Sequence, residues 1–254
     1  MVENRVGVWI IGAWGRVATA VAVRLAILQQ RLCTEAEAAP GGAVSSLEPV
    51  IPWSAFVVGG HEIRRTSYLV EARSDPSLIP GGDRLPSAVE PLLAAFDRNI
   101  RTGTPAGAGD SARAKASTAA IKLAGERPGR AVERIAYALR SFAETHRLEH
   151  TIVVNLATPE PGEARRTLDS MSWTELSRSL DQNDAIPLTA GSIYALAAIR
   201  SNSSFLIGSP SAGFDVEAIG QAARDRGTLS CRCDLGSLDA LSAARRVLEA
   251  VQSI

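Results

Sequence analysis

Lysine is almost absent from this chain of 254 residues: Lys115 and Lys122 are the only two, and arginine supplies the other 25 of its 27 basic side chains. Arginine stays protonated near neutral pH, so chemistry that needs a titrating amine has few candidates here. Excess charge of either sign is also absent, because 27 acidic residues balance the 27 basic ones. No global field draws the protein to nucleic acid or to a membrane surface, and a small-molecule partner fits better. Cysteine is scarce and odd in number, with Cys33, Cys231 and Cys233. Two of the three are one residue apart, which argues against a disulfide framework and agrees with a reducing compartment. Long apolar runs are missing as well: the stretch Ala18 to Leu28 is broken by Arg24 and is too short to cross a bilayer. No basic-then-apolar leader precedes Val6, and no internal repeat is visible, so a cytoplasmic protein is expected.

What is present is a composition 46% hydrophobic, enough to bury a sizeable core over a single domain spanning 1–254. The most informative segment is Val6-Gly7-Val8-Trp9-Ile10-Ile11-Gly12-Ala13-Trp14-Gly15-Arg16-Val17. An apolar strand runs into a glycine turn and then into an alanine-rich helix, the opening of a nucleotide-binding βα unit. Such a turn brings backbone close to a pyrophosphate, and the unpaired N–H groups of the first helical turn face the anion. Gly12 and Gly15 make only a G-x-x-G, with Trp14 where a full dinucleotide fingerprint has its second glycine, so a tight turn without a ligand is the competing reading.

Further along, strands are expected at Pro52 to Val58, Thr151 to Leu156 and Ser204 to Ile207. Helices are expected at Arg16 to about Ala38, Pro86 to Ile100, Ala112 to Leu123, Ala131 to Arg147, Trp173 to Leu180, Gly191 to Arg200, Val216 to Arg226 and Leu238 to Val251. This alternation predicts an α/β fold, a doubly wound Rossmann-like parallel sheet with helices on both faces. Thr151 to Leu156 is almost wholly apolar and reads as a central strand. An acidic ribose ligand is expected about 20 residues past the glycines; Glu35 and Glu37 lie near that distance, but within a helical composition that makes neither convincing.

Three more blocks follow in order: Gly59-Gly60-His61-Glu62-Ile63-Arg64; Val154-Asn155-Leu156-Ala157-Thr158-Pro159-Glu160-Pro161; and Gly191-Ser192-Ile193-Tyr194-Ala195, with Gly208-Ser209-Pro210-Ser211 beyond it. Together with the first turn they resemble the inositol-3-phosphate synthase (myo-inositol-1-phosphate synthase) family, particularly its shorter archaeal and bacterial members. The resemblance runs from Val6 to about Asp234 and is thin between Gly81 and His150. It implies NAD as cofactor, a sugar phosphate as substrate class, and a place in inositol biosynthesis, where glucose 6-phosphate is oxidised, cyclised and reduced again. It also implies cofactor contacts at Gly12, Ala13, Trp14, Gly15, Arg16, Val17, Gly59, Gly60, His61, Asn155, Ala157, Thr158 and Ser192.

Two departures from the family stand out. Its catalytic half begins roughly G-N-D-x-K-T-G, whereas this chain has Arg232-Cys233-Asp234-Leu235-Gly236-Ser237-Leu238, with Gly236 in the place of the lysine. Family members then continue through a separate catalytic and oligomerising domain, for which no counterpart is expected before Ile254. The expectation is an NAD-binding, isomerase-like protein impaired on its own, with its catalytic residues unassigned and a homo-oligomer left open. The rivals are a synthase-like enzyme completed by another subunit, a non-catalytic NAD-binding or interaction protein, and an unrelated NAD(P)-dependent dehydrogenase.

Each site residue also has a plainer reading. Asn155 and Thr158 suit ribose or nicotinamide contacts but equally suit a turn that satisfies its own backbone. Ser192 touches a cofactor or supports a helix start, Tyr194 reads as core, and His61 as a neutral turn histidine. His146, His150, Cys231 and Cys233 could ligate zinc, but H-x-x-x-H and C-x-C are not a usual closed spacing, and no metal site is expected.

Overall fold

The computed structural model describes residues 4–30, 50–81, 84–102, 126–157, 171–182, 186, 188–208 and 216–254. Among these, strands β1 (Val6–Ile11), β2 (Phe56–Glu62), β3 (Ile100–Thr102), β4 (His150–Asn155), β5 (Ser204–Ile207) and β6 (Ser230–Arg232) form one sheet in the order β3-β2-β1-β4-β5-β6. Every neighbouring pair is parallel. The helices are α1 (Arg16–Gln29), α2 (Tyr68–Ser74), α3 (Glu90–Asp97), α4 (Pro128–His146), α5 (Trp173–Asp181), α6 (Ala190–Arg200), α7 (Glu217–Asp225) and α8 (Ala240–Ser253). The order reverses between β1 and β4, and a crevice opens at such a switch point beyond the carboxyl ends of the strands.

Alternation along β1 builds the two sides of the core. Trp9 and Ile11 face a layer containing Ile135, Leu139 and Phe142 of α4, Ile193 and Leu196 of α6, and Ile219 of α7. Val6, Val8 and Ile10 face the opposite layer, with Val21 and Leu25 of α1, Leu93 of α3, and Val247 and Val251 of α8. With both faces covered, β1 is buried at all six positions, which is why these strands read as continuous apolar runs rather than alternating ones. α1 is buried at ten consecutive positions, Ala18 to Ile27, and its small alanines let it lie close against the sheet. α4 starts with Pro128 in its first turn, where the missing N–H costs no hydrogen bond. α6 is capped by Thr189, whose side chain accepts from the Ser192 amide.

Several elements differ from the sequence expectation. The second strand begins at Phe56 and continues through Gly59, Gly60 and His61 to Glu62, so the glycine pair lies within the strand and not in a turn after it. Space dictates this: a Cβ on Gly60 would lie 2.3 Å from the Ile10 carbonyl oxygen, and one on Gly59 would lie 2.8 Å from the Phe142 ring. The helix expected over Pro86 to Ile100 is a 3-10 turn at Ser87–Val89 followed by α3, and Ile100 opens β3. The expected helix Ala112 to Leu123, the end of the first helix toward Ala38, and Glu35 and Glu37 lie outside the described residues. Among the described residues no helix is long and apolar enough to cross a membrane.

Candidate functional site

Backbone hydrogen bonds gather the carboxyl ends of four strands. The Gly12 amide donates to the His61 carbonyl at 3.0 Å, joining the first turn to β2. The Leu156 amide donates to the Ile11 carbonyl at 3.1 Å, and the Gly208 amide to the Asn155 carbonyl at 3.0 Å, joining β1, β4 and β5. Gly12 has φ +75°, the left-handed region, and a Cβ there would come 3.2 Å from the Ala157 Cα. Only glycine therefore lets the first turn lie against the loop after β4.

The donors of this turn are unequally free. Gly12 and Ala13 both give their amides to the His61 carbonyl, Gly15 donates to the Gly12 carbonyl, and Trp14 donates to the Glu62 carboxylate at 2.9 Å. Gly15 is the N-cap of α1 and has no side chain to cap it, and α1 carries no acidic residue in its first turn. The amides of Arg16, Val17 and Ala18 therefore have no partner among the described residues, and they are the positive end of a 14-residue helix. Donors that can hold an anion thus lie one step past the turn itself.

Trp14 occupies a glycine position without filling the crevice. Its indole is buried among α1, α2 and α3, and its Nε1 donates to an Asp97 carboxylate oxygen at 2.8 Å. The same oxygen accepts the Tyr68 amide at 3.0 Å, so Asp97 ties the turn to the start of α2. Burial pushes the Asp97 carboxyl up, against the two hydrogen bonds that favour its charged form.

Glu62 is the residue that sequence reasoning missed. It ends β2 as a buried acid, the place from which a Rossmann sheet addresses the adenosine ribose. Glu35 and Glu37 lie near the usual spacing, whereas Glu62 stands 47 residues past Gly15 rather than about 20; the signal for it is an acid closing an apolar run. Its Oε2 accepts from Trp14 N, and its Oε1 accepts from the Ile63 amide at 2.8 Å and the Arg64 amide at 3.2 Å. The Arg64 guanidinium closes over it, reaching Glu62 Oε2 at 3.4 Å, Glu71 at 3.4 Å and the Trp14 carbonyl.

The other expected residues divide. Asn155 is buried, and its Oδ1 accepts the Ala157 amide at 3.2 Å, bracing the loop that touches Gly12. Thr158, Ser209 and Ser211 lie outside the described residues. The Ser192 hydroxyl is fully buried and bonded to Thr189 Oγ1 at 2.9 Å, the helix-start role. Tyr194 packs in the core, and burial raises its hydroxyl pKa. His61 lies under the site, its ring edge-on to Trp9 at 4.9 Å and tilted against Tyr194 at 5.6 Å. Burial first, then the charges of Arg134 and Arg101, push it down to about 3, so it is neutral, and its Nδ1 has no partner among the described residues. His150 bonds Ser204 Oγ at 2.7 Å and His146 bonds Asn99 at 3.1 Å at the amino end of the sheet, while Cys233 follows the carboxyl end of β6. No group of three potential metal ligands occurs among the described residues.

Residues 36–244 match the NAD-binding protein family described as myo-inositol-1-phosphate synthase. No curated protein matches. Among solved structures, inositol-3-phosphate synthase from Caenorhabditis elegans is 14% identical with a TM-score of 0.58, over 90% of this chain and 48% of that one. A myo-inositol-1-phosphate synthase-related protein from Thermotoga maritima MSB8 is 18% identical with a TM-score of 0.54, over 92% of this chain and 56% of that one. A protein named Ari2 is 15% identical with a TM-score of 0.51, over 99% of this chain and 60% of that one. At these identities the likeness shows the fold, and the chain spans about half to three-fifths of those proteins' length.

Proposed function

The chain belongs to the myo-inositol-1-phosphate synthase family, and from that premise we propose that it binds NAD across the carboxyl ends of β1, β2 and β4 without isomerising glucose 6-phosphate on its own. The observation that carries the cofactor reading is the start of α1. Among the described residues three amides, Arg16 to Ala18, stand unpartnered behind an N-cap glycine, with no carboxylate in the first turn to compete for them. These amides would hold the pyrophosphate, Gly12 would keep the turn against Ala157, and Asn155 would keep the loop after β4 in place at the nicotinamide end. NAD, when bound, supplies a hydride acceptor that can return the hydride later.

Acid–base chemistry is the part this chain supplies poorly. Asp234 is exposed and its Oδ1 accepts the Gly236 amide at 3.0 Å, closing a local turn. Gly236 has no side chain to move a proton, and Lys115 and Lys122 lie outside the described residues. Losing general acid–base and oxyanion-stabilising groups costs on the order of 10²-fold or more in rate for each. A cytoplasmic NAD-binding domain of synthase type, with a sugar phosphate as its substrate class, fits these features. The test is incubation of the purified protein with NAD and glucose 6-phosphate, followed by phosphorus NMR. No inositol phosphate is expected, and sustained turnover by the chain alone would overturn the impaired-enzyme reading.

A further inference from the structure

We propose that Cys231 and Cys233, on the edge strand β6, form a two-thiolate site for a soft monovalent metal ion of the copper(I) class. Exposure alternates along this segment: Ser230 and Arg232 are exposed, whereas Cys231 and Cys233 are half-buried free thiols. Both pack against the apolar layer built with α1 and α8, so they share one face of the sheet. The Cys233 amide donates to the Ile207 carbonyl at 2.8 Å, which carries the pairing of β5 and β6 on through the second cysteine.

This spacing decides between the two things a thiol pair can do. Two residues of extended strand set side chains on one face about 6.6–6.8 Å apart, whereas a disulfide needs its Cβ atoms within ~3.5–4.5 Å. The thiols therefore stay free unless the strand bends. A metal ion held between the sulfurs adds two metal–sulfur bonds of roughly 2.3 Å each and spans the gap with the backbone unmoved.

The surroundings select a soft ion. The carboxylates that act on Cys233, Asp234 and Glu249, are hard donors engaged elsewhere, with the Gly236 amide at 3.0 Å and with Arg245 at 2.7 Å. No group of three potential metal ligands occurs among the described residues, which argues against tetrahedral zinc and suits an ion held by two sulfurs. Binding displaces one proton from each thiol, so a monovalent cation leaves a complex with a single negative charge. Arg246 of α8 supplies the opposite charge: it acts on Cys233 and makes no ion pair among the described residues. Cys233 and Arg246 line one hollow of about 480 Å³ between the end of β6 and α8, which gives the ion a way in.

The experiment is anaerobic titration of copper(I) into the full chain in competition with the chromogenic chelator bicinchoninate, with circular dichroism to confirm folding. The parent should take a single copper(I) from the chelator, and X-ray absorption on that complex should show two sulfur neighbours. Cys231→Ser and Cys233→Ser should each lower the affinity by more than the roughly 10–100-fold that losing an outer-shell partner costs, and Cys33→Ser should leave it unchanged. A parent that takes no copper(I) overturns the inference. Unchanged affinity in either Cys231→Ser or Cys233→Ser overturns it equally, as does a loss in Cys33→Ser. If a serine variant fails to fold, the absorption spectrum of the parent decides: a first shell without two sulfurs overturns the site. None of these outcomes touches the dinucleotide reading, which rests on other residues.

Discussion

Glu62→Gln probes the joint between the glycine turn and β2 while barely changing side-chain volume. In the parent, Oε2 accepts the buried Trp14 amide at 2.9 Å and one Arg64 guanidinium nitrogen at 3.4 Å, while Oε1 accepts the amides of Ile63 and Arg64. The glutamine oxygen can replace Oε1. Its NH2 group then stands where Oε2 was, pointing hydrogens at two other donors. Leaving the buried Trp14 amide without an acceptor costs about 1–3 kcal/mol. The Arg64 pair adds ~0–1 kcal/mol, because that guanidinium is half exposed and screened by water. The expected loss is about 1–4 kcal/mol, read as a lower urea midpoint at pH 7 with an unchanged slope. A loss under about 0.5 kcal/mol would refute the reasoning, because it would mean that the carboxylate does not hold the turn.

Gly60→Ala should destabilise the protein by about 2 kcal/mol or more, since its new Cβ would lie 2.3 Å from the Ile10 carbonyl oxygen with no flexible neighbour to yield; urea unfolding reads the loss. His61 sets an acid limit: its folded pKa of about 3 lies below the ordinary 6.5, so its stabilising neutrality is complete above 6.5 and is lost as pH falls toward 3. That slope is at most about 1.4 kcal/mol per pH unit, and His61→Leu should flatten it in unfolding curves taken between pH 7 and pH 4. Asn155→Ala should weaken NAD binding by about 1 kcal/mol or more, because the Ala157 amide loses its acceptor at 3.2 Å and the loop against Gly12 loosens; calorimetry gives the difference.

The βα unit at the start of the chain was legible because three signals agree there: β-branched residues for β1, glycines for the turn, and an alanine-rich run for α1. β4 was legible for a related reason, since a strand buried on both faces shows no polar alternation. The edge strands β3 and β6 were not. Each is three residues long and half-exposed or exposed throughout, so it carries no apolar signature, and partner strands decide that it pairs at all. Gly59 and Gly60 misled because glycine pairs usually punctuate turns, whereas here they make room for the Phe142 ring and the Ile10 carbonyl, which are remote in sequence. At the candidate site, the turn and Asn155 carry a local pattern that the sequence shows on its own. Glu62 was hidden by spacing, and the commitment of its oxygens to Trp14, Ile63 and Arg64 depends on the three-dimensional fit of two strand ends.

NAD binding at the start of α1 is tested most directly by calorimetric titration of NAD into the parent chain and into Gly15→Val, with circular dichroism on both. A Cβ on Gly15 would stand 3.1 Å from the Gly12 carbonyl oxygen, at the helix cap behind which the Arg16 to Ala18 amides are unpartnered among the described residues. The parent should bind NAD saturably, and the folded variant should bind it at least tenfold more weakly. Equal affinities, or a folded parent that does not bind NAD, would contradict the cofactor site placed at this turn.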